Sequence, residues 1–123
     1  MILNYSFPEF EKLITSGQKN HTIRKPGRWK AGMIIHHSYG SRTKNYRCFL
    51  VNKCTGVQKI EFRYPAYKMS LMPCHLFINN IERGLATAMT LSDNDGFKSA
   101  GDFFKFFNKS CVMEIVHWTD LRY

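Results

Sequence analysis

The stretch "YRCFLVNKCTGVQKIEFRY", residues 46–64, constrains the fold more than any other. Apolar and polar residues alternate along it, as they must where successive side chains point to opposite faces of a half-buried strand. Thr55-Gly56 interrupts the pattern, so it reads as two strands or as one bent strand, and Pro65 ends it. A segment of this kind needs other strands beside it, and the chain supplies them. "HTIR" (21–24) is short and β-branched, and "MIIHHSY" (33–39) runs up to Gly40. "HLFINNIE" (75–82) is a strand with a turn at Asn79-Asn80. "VMEIVHW" (112–118) closes the set, with Met113, Ile115 and His117 on one side and Val112, Glu114, Val116 and Trp118 on the other. Between them, "KPGRWKAG" is a link rich in turn formers and "SRTKN" a polar hairpin connection.

Two short helices complete the pattern. "SFPE" offers Ser6 as N-cap with Glu9 three residues on, a capping box, and Pro8 is tolerated in the first turn. Phe10, Leu13 and Ile14 follow at helical spacing and Gly17 stops the helix, which gives a span of 7–16. A second box, Ser99 with Asp102, opens a helix in which Phe103, Phe106 and Phe107 make one apolar face. "LATAMTL" reads as a helical turn and "SDNDG" as a loop. The expected architecture is α+β: a single domain over residues 1–123, with a small curled antiparallel β-sheet or barrel and two short helices packed over it.

The chain's 123 residues are enough to bury a core without disulfides. The longest apolar runs, such as "CFLV" and "MII", fall far short of the roughly 20 residues of a membrane span. "MILNYSFPEF" lacks the basic and long apolar regions of an export signal, so a cytoplasmic protein is expected. Cys48, Cys54, Cys74 and Cys111 form no C-x-x-C pair and read as reduced thiols. They and the histidines lack paired metal-ligand spacing, and no cofactor motif is present.

Charge is unevenly placed. From Lys19 to Ile60 there are ten Lys and Arg residues and no acid, whereas residues 61–123 hold seven of each sign. Within "GQKNHTIRKPGRWKAG" (17–32), Lys19, His21, Arg24, Lys25, Arg28 and Lys30 fall within twelve positions. Such a patch is either a solvated face or an attractor of polyanions, of which nucleic acid is the commonest. Arg24, Lys25, Arg28 and Lys30 are the phosphate candidates, and Arg42, Lys44 and Arg47 extend the patch. Trp29 and Tyr39 lie among these charges; each is a platform for an unpaired base or, in the case of Trp29, a cap on the core. His36 and His37 are strand neighbours and point to opposite faces, so they cannot share one site.

Three features resemble the ASCH family of the PUA-like superfamily. "KNHTIRKPGRWKAGMII", after a short helix ending in Gly, is similar to its G-x-K-x-x-T-x-R signature. "DNDGFKSAGDFFKFF" is similar to its acidic-G-F helix start, and "VMEIVHWTDLRY" resembles the last strand and tail of small phage and bacterial members. The resemblance touches most of the chain, least over residues 61–92. It implies a five- or six-stranded barrel and a cleft lined by the Lys-x-x-Thr-x-Arg stretch, with RNA or a modified nucleobase as ligand. Some members remove an acyl group from the exocyclic amine of cytidine with a lysine, a threonine and a glutamate; others are ribonucleases or plain RNA binders. The lysine and threonine fall on Lys19 and Thr22, and the glutamate on Asp95, one methylene shorter, with Asp93 as a competitor.

In that chemistry Lys19 is a general base, Thr22 the nucleophile it activates, and Asp95 a residue that orients water or protonates the leaving amine. A lysine can be such a base only if burial or a neighbouring cation lowers its pKa, and Arg24, on the same strand face as Thr22, is the nearest cation. Three functions follow as expectations. The first is an RNA- or modified-nucleobase-binding domain with a basic cleft. The second is an amidohydrolase for acylated cytidine, or a ribonuclease, using Lys19, Thr22 and Asp95. The third is a phage-type interaction protein docking on an acidic partner.

Overall fold

The structure, a computed structural model, describes all 123 residues. It is α+β, with eight strands and three helices. In chain order these are β1 (Ile2–Tyr5), α1 (Glu9–Thr15), β2 (His21–Arg24), β3 (Ile34–Tyr39), β4 (Arg47–Lys53), β5 (Gly56–Arg63), β6 (His75–Ile78), β7 (Ile81–Arg83), α2 (Leu85–Asn94), α3 (Ala100–Phe106) and β8 (Cys111–His117). The strands form a three-stranded sheet in the order β1-β3-β4 and a five-stranded sheet in the order β2-β8-β5-β6-β7. The expected all-antiparallel sheet is corrected at one place, since β1 runs parallel to β3. The hydrogen-bonded ladder does not close into a ring: β1 and β4 edge one sheet, β2 and β7 the other.

The alternating stretch is two strands, and they do not pair with each other. β4 pairs with β3, and β5 with β8. The change of sheet happens within two residues: Cys54 N–H donates to Met33 O at 2.8 Å and Thr55 N–H to His117 O at 2.9 Å. The β6–β7 connection is the tight turn expected, with Asn79 (φ 50°) and Asn80 (φ 67°) both left-handed, the geometry that suits a right-twisted hairpin.

Three expectations about helices are corrected. There are three helices, not two, because "LATAMTLSDN" has no Gly or Pro to stop it until Gly96, whose φ of +90° ends it. The Ser6 capping box does not form, because the helix begins two residues later, at Glu9; Pro8 is the N-cap and makes no side-chain bond. On α3 the Ser99 hydroxyl does accept from Asp102 N–H at 3.1 Å. Its buried face, however, is Phe103, Phe104 and Phe107, while Phe106 is 56% exposed.

The core has two parts. One lies under α2 and α3 and includes Ile60, Phe62, Leu76, Ile78, Leu91, Phe103 and Ile115. The other lies between the three-stranded sheet and α1 and includes Leu3, Tyr5, Ile14, Trp29, Ile35 and Val116. Ile115 and Val116 are neighbours on β8 with side chains on opposite faces, so this strand is the wall shared by both. Fully burying an aliphatic or aromatic side chain of this kind contributes about 1.5–3 kcal/mol. No helix is long and apolar enough to cross a membrane.

Candidate functional site

Lys19 is the most unusual side chain in the molecule. It follows a polar turn, yet it is 1% exposed. Gly17 (φ 83°) ends α1 and folds the chain back, so that Lys19 N–H donates to Leu13 O at 2.9 Å. The next residue is tied to the end of α2, with Asn20 N–H donating to Asn94 O at 2.8 Å. These two bonds send the lysine inward, where Nζ donates to the Asp95 carbonyl at 2.6 Å and to Asp95 Oδ1 at 3.2 Å. Nζ also stands 4.6 Å from the centre of the Phe10 ring. Burial pulls the Lys19 pKa down, and the Asp95 charge works against that fall.

The glycine after Asp95 makes this approach possible. A Cβ on Gly96 would lie 3.2 Å from Lys19 Cδ and 3.3 Å from Phe10 Cε1, and the left-handed backbone there disfavours any side chain. Asp95 is itself buried and receives a second bond: His21 Nδ1 lies 3.0 Å from the same Oδ1.

Lys19, Thr22, Arg24 and Asp95 line one cavity of about 100 Å³, whose other walls include Tyr5, Phe10 and Phe97. Thr22 and Arg24 share a face of β2, as expected for residues two apart on a strand. Arg24 donates to Asn4 O at 2.8 Å and sits 5.2 Å from the centre of the Tyr5 ring, while its Nε is buried without a partner. The Tyr5 hydroxyl is 2.8 Å from His37 Nδ1, and His37 Nε2 is 2.7 Å from Asn52 Oδ1. The amide oxygen only accepts, so His37 carries its proton on Nε2 and Tyr5 donates to Nδ1. Burial pushes the His37 pKa down to about 4, in keeping with a neutral ring. A larger open groove between Tyr64, Leu71, Leu85 and Phe104 carries a single charged side chain, Lys105, and none of these groups.

The remaining cations lie outside this cavity. Lys25, Arg28 and Lys30 are exposed on the loop after β2, and Arg42 and Lys44 on the β3–β4 connection. The end of β2 and the β3–β4 connection meet at one residue, since Ser41 N–H donates to Asn4 Oδ1 at 2.8 Å while Arg24 donates to Asn4 O. Arg47 is engaged by Glu11 at 3.0 Å. Trp29 is 4% exposed and packs in the core, so it offers no face to a base; that expectation is corrected in favour of the core cap. Tyr39 is half-buried. His21 and Tyr123 were not singled out from the sequence as site residues. His21 alternates with Thr22 on β2 and therefore points away from it, and the Tyr123 hydroxyl reaches His21 Nε2, 2.5 Å away, from 102 positions along the chain.

Comparison with protein-family models, with curated proteins and with solved structures finds no significant match to this chain.

Proposed function

We propose that this chain is an ASCH-like domain that binds a modified nucleobase or an unpaired RNA base, its two sheets being the halves of that family's curled barrel. The observation that carries the reading is the meeting of Lys19, Thr22, Arg24 and Asp95 on one small cavity. An apolar cavity of about 150 Å³ is enough for benzene. A cavity of about 100 Å³ therefore takes the edge of a ring or one substituent, and leaves sugar and phosphate outside. There the exposed Lys25, Arg28, Lys30, Arg42 and Lys44 supply positive charge for the backbone. Inside, the ammonium, guanidinium and hydroxyl favour carbonyl oxygens, and the aromatic walls favour a flat ring.

A second reading, hydrolysis of an acylated cytidine, is favoured by one observation: the cavity is lined by a lysine whose pKa burial has lowered and by a threonine. Lys19 would take the Thr22 proton as the oxygen attacks the acyl carbon. The C–N bond would break with that proton passing to the leaving amine, and water would then release the acyl group from Thr22. Titrating wild type and Lys19→Ala with cytidine, N-acylated cytidines and a short single-stranded RNA, with absorbance followed for turnover, tests both. Binding that is lost in Lys19→Ala supports the first reading, and turnover lost in the same variant supports the second. If wild type binds none of these probes at low salt, both are refuted.

A further inference from the structure

Behind the cavity, Asp95 is gripped from a second side. Its Oδ1 accepts from Lys19 at 3.2 Å and from His21 Nδ1 at 3.0 Å. The other nitrogen of the fully buried His21 ring, Nε2, lies 2.5 Å from the Tyr123 hydroxyl, and that hydroxyl accepts from Asn94 Nδ2 at 3.1 Å. A carboxylate only accepts, so the ring nitrogen facing it, Nδ1, carries a proton; in the neutral ring Nε2 is the acceptor and the phenol its donor. Tyr123 is fixed in place by β5, because its N–H donates to Gln58 Oε1 at 2.9 Å and its carbonyl accepts from Gln58 Nε2 at 2.8 Å. Burial also pushes the Tyr123 pKa up to about 12, so the phenol keeps the proton it donates.

We propose that His21 is a positioning residue: locked by Tyr123 with its proton on Nδ1, it holds the Asp95 carboxylate against Lys19 and so governs when the amine on the cavity gives up its proton. This deepens the reading above and rests on it for the use of the amine; the chain of hydrogen bonds exists without a ligand. Each donor to a carboxylate favours its ionised form. Without His21 the Asp95 charge is spread over one donor fewer, and Lys19 holds its proton to higher pH. The groups facing Lys19 are Asp95 beyond α2, His21 and Arg24 on β2, Tyr5 on β1, His37 on β3 and the Phe10 ring on α1. Those facing His21 are Asp95, Asn94, Tyr123 and the His117 ring on β8, 5.3 Å away. Burial holds the His117 pKa down to about 3, so that ring adds no charge to the set at neutral pH.

The test is an NMR titration of the Lys19 side chain in ligand-free protein, together with the ring nitrogens of His21. In the wild-type ring the proposal places the proton on Nδ1 and leaves Nε2 bare. His21→Leu moves the Lys19 titration to higher pH. His21→Asn, whose Nδ2 replaces the lost donor, returns it towards wild type. Tyr123→Phe moves it the same way as His21→Leu, by less. The proposal is overturned if Nε2 carries the proton, or if Leu and Asn at position 21 titrate Lys19 alike. Should His21→Leu fail to fold, the wild-type ring and Tyr123→Phe decide the matter. Failure of wild type to bind nucleobases while this order of titrations holds would refute the function proposed above and leave this inference standing.

Discussion

Replacing Asp95 with Asn leaves the Lys19 ammonium buried with no counter-charge, and the structure sets both the size and the pH dependence of the damage. Lys19 is 1% exposed, and its two oxygen partners both belong to Asp95. Removing one partner of a buried ion pair typically destabilises by about 3–5 kcal/mol. The folded variant has an escape, which is to shed the proton from Lys19. The lysine of the unfolded chain has a pKa of about 10.4, so giving up the proton at pH 7 costs about 4.6 kcal/mol, and this caps the loss. The sign follows from proton counts. The unfolded chain keeps the proton and the folded variant does not, so the variant gains stability as pH rises, by about 1.4 kcal/mol per unit, through any range in which its Lys19 is neutral. The gap to wild type therefore narrows from pH 7 upwards, until the pH reaches the lowered pKa of Lys19 in wild type itself. Urea unfolding at pH 7, 8 and 9, followed by fluorescence of the buried Trp29, measures it. The double variant Lys19→Met/Asp95→Asn removes the charge altogether and recovers much of the loss with no such slope. A deficit for Asp95→Asn below about 1 kcal/mol, or one independent of pH, would refute the account of Lys19 as a buried charge held by Asp95.

Gly96→Ala places a Cβ in a left-handed backbone 3.2 Å from Lys19 Cδ, and is expected to destabilise by about 1–3 kcal/mol while weakening any ligand that depends on Lys19; the melting temperature and the nucleobase titration read the two effects. Acid is expected to weaken the fold through His37 and His117, whose pKa values burial holds at about 4 and about 3. Their unfolded forms bind protons at about 6.5, so stability is present above that pH and declines towards pH 4. Urea midpoints at pH 7 and 4.5 check this, and equal midpoints would contradict it.

Much of the fold was legible because period-two alternation is a local signal. It marked β8 and the strands on either side of Thr55-Gly56, while β-branching marked β2 and turn formers the Asn79-Asn80 connection. β1 was missed because a four-residue strand paired in parallel to β3 is defined by its partner rather than by its own pattern. The interrupting Thr55-Gly56 gave no hint that the chain changes sheets there, since that depends on Met33 and His117. At the site, Lys19, Thr22 and Asp95 could be named from a motif, and the structure gathers them at one cavity. That Lys19 is buried could not be read: its neighbours Gln18 and Asn20 are polar, and the oxygens that satisfy it come from 76 positions away. His21 and Tyr123 were invisible for the same reason.

The separations between partners also say when in folding this site can exist. Lys19 meets Asp95 across 76 positions, and His21 meets Tyr123 across 102, so no part of the cluster forms by local collapse. Loop-closure entropy makes such contacts late. On the ribosome, the first strands and α1 emerge with a lysine and a histidine that have nowhere to go, and each stays hydrated until its partner, Asp95 or Tyr123, has followed. Protection of the Lys19 amine from water is then a clock for the final folding step rather than for the first.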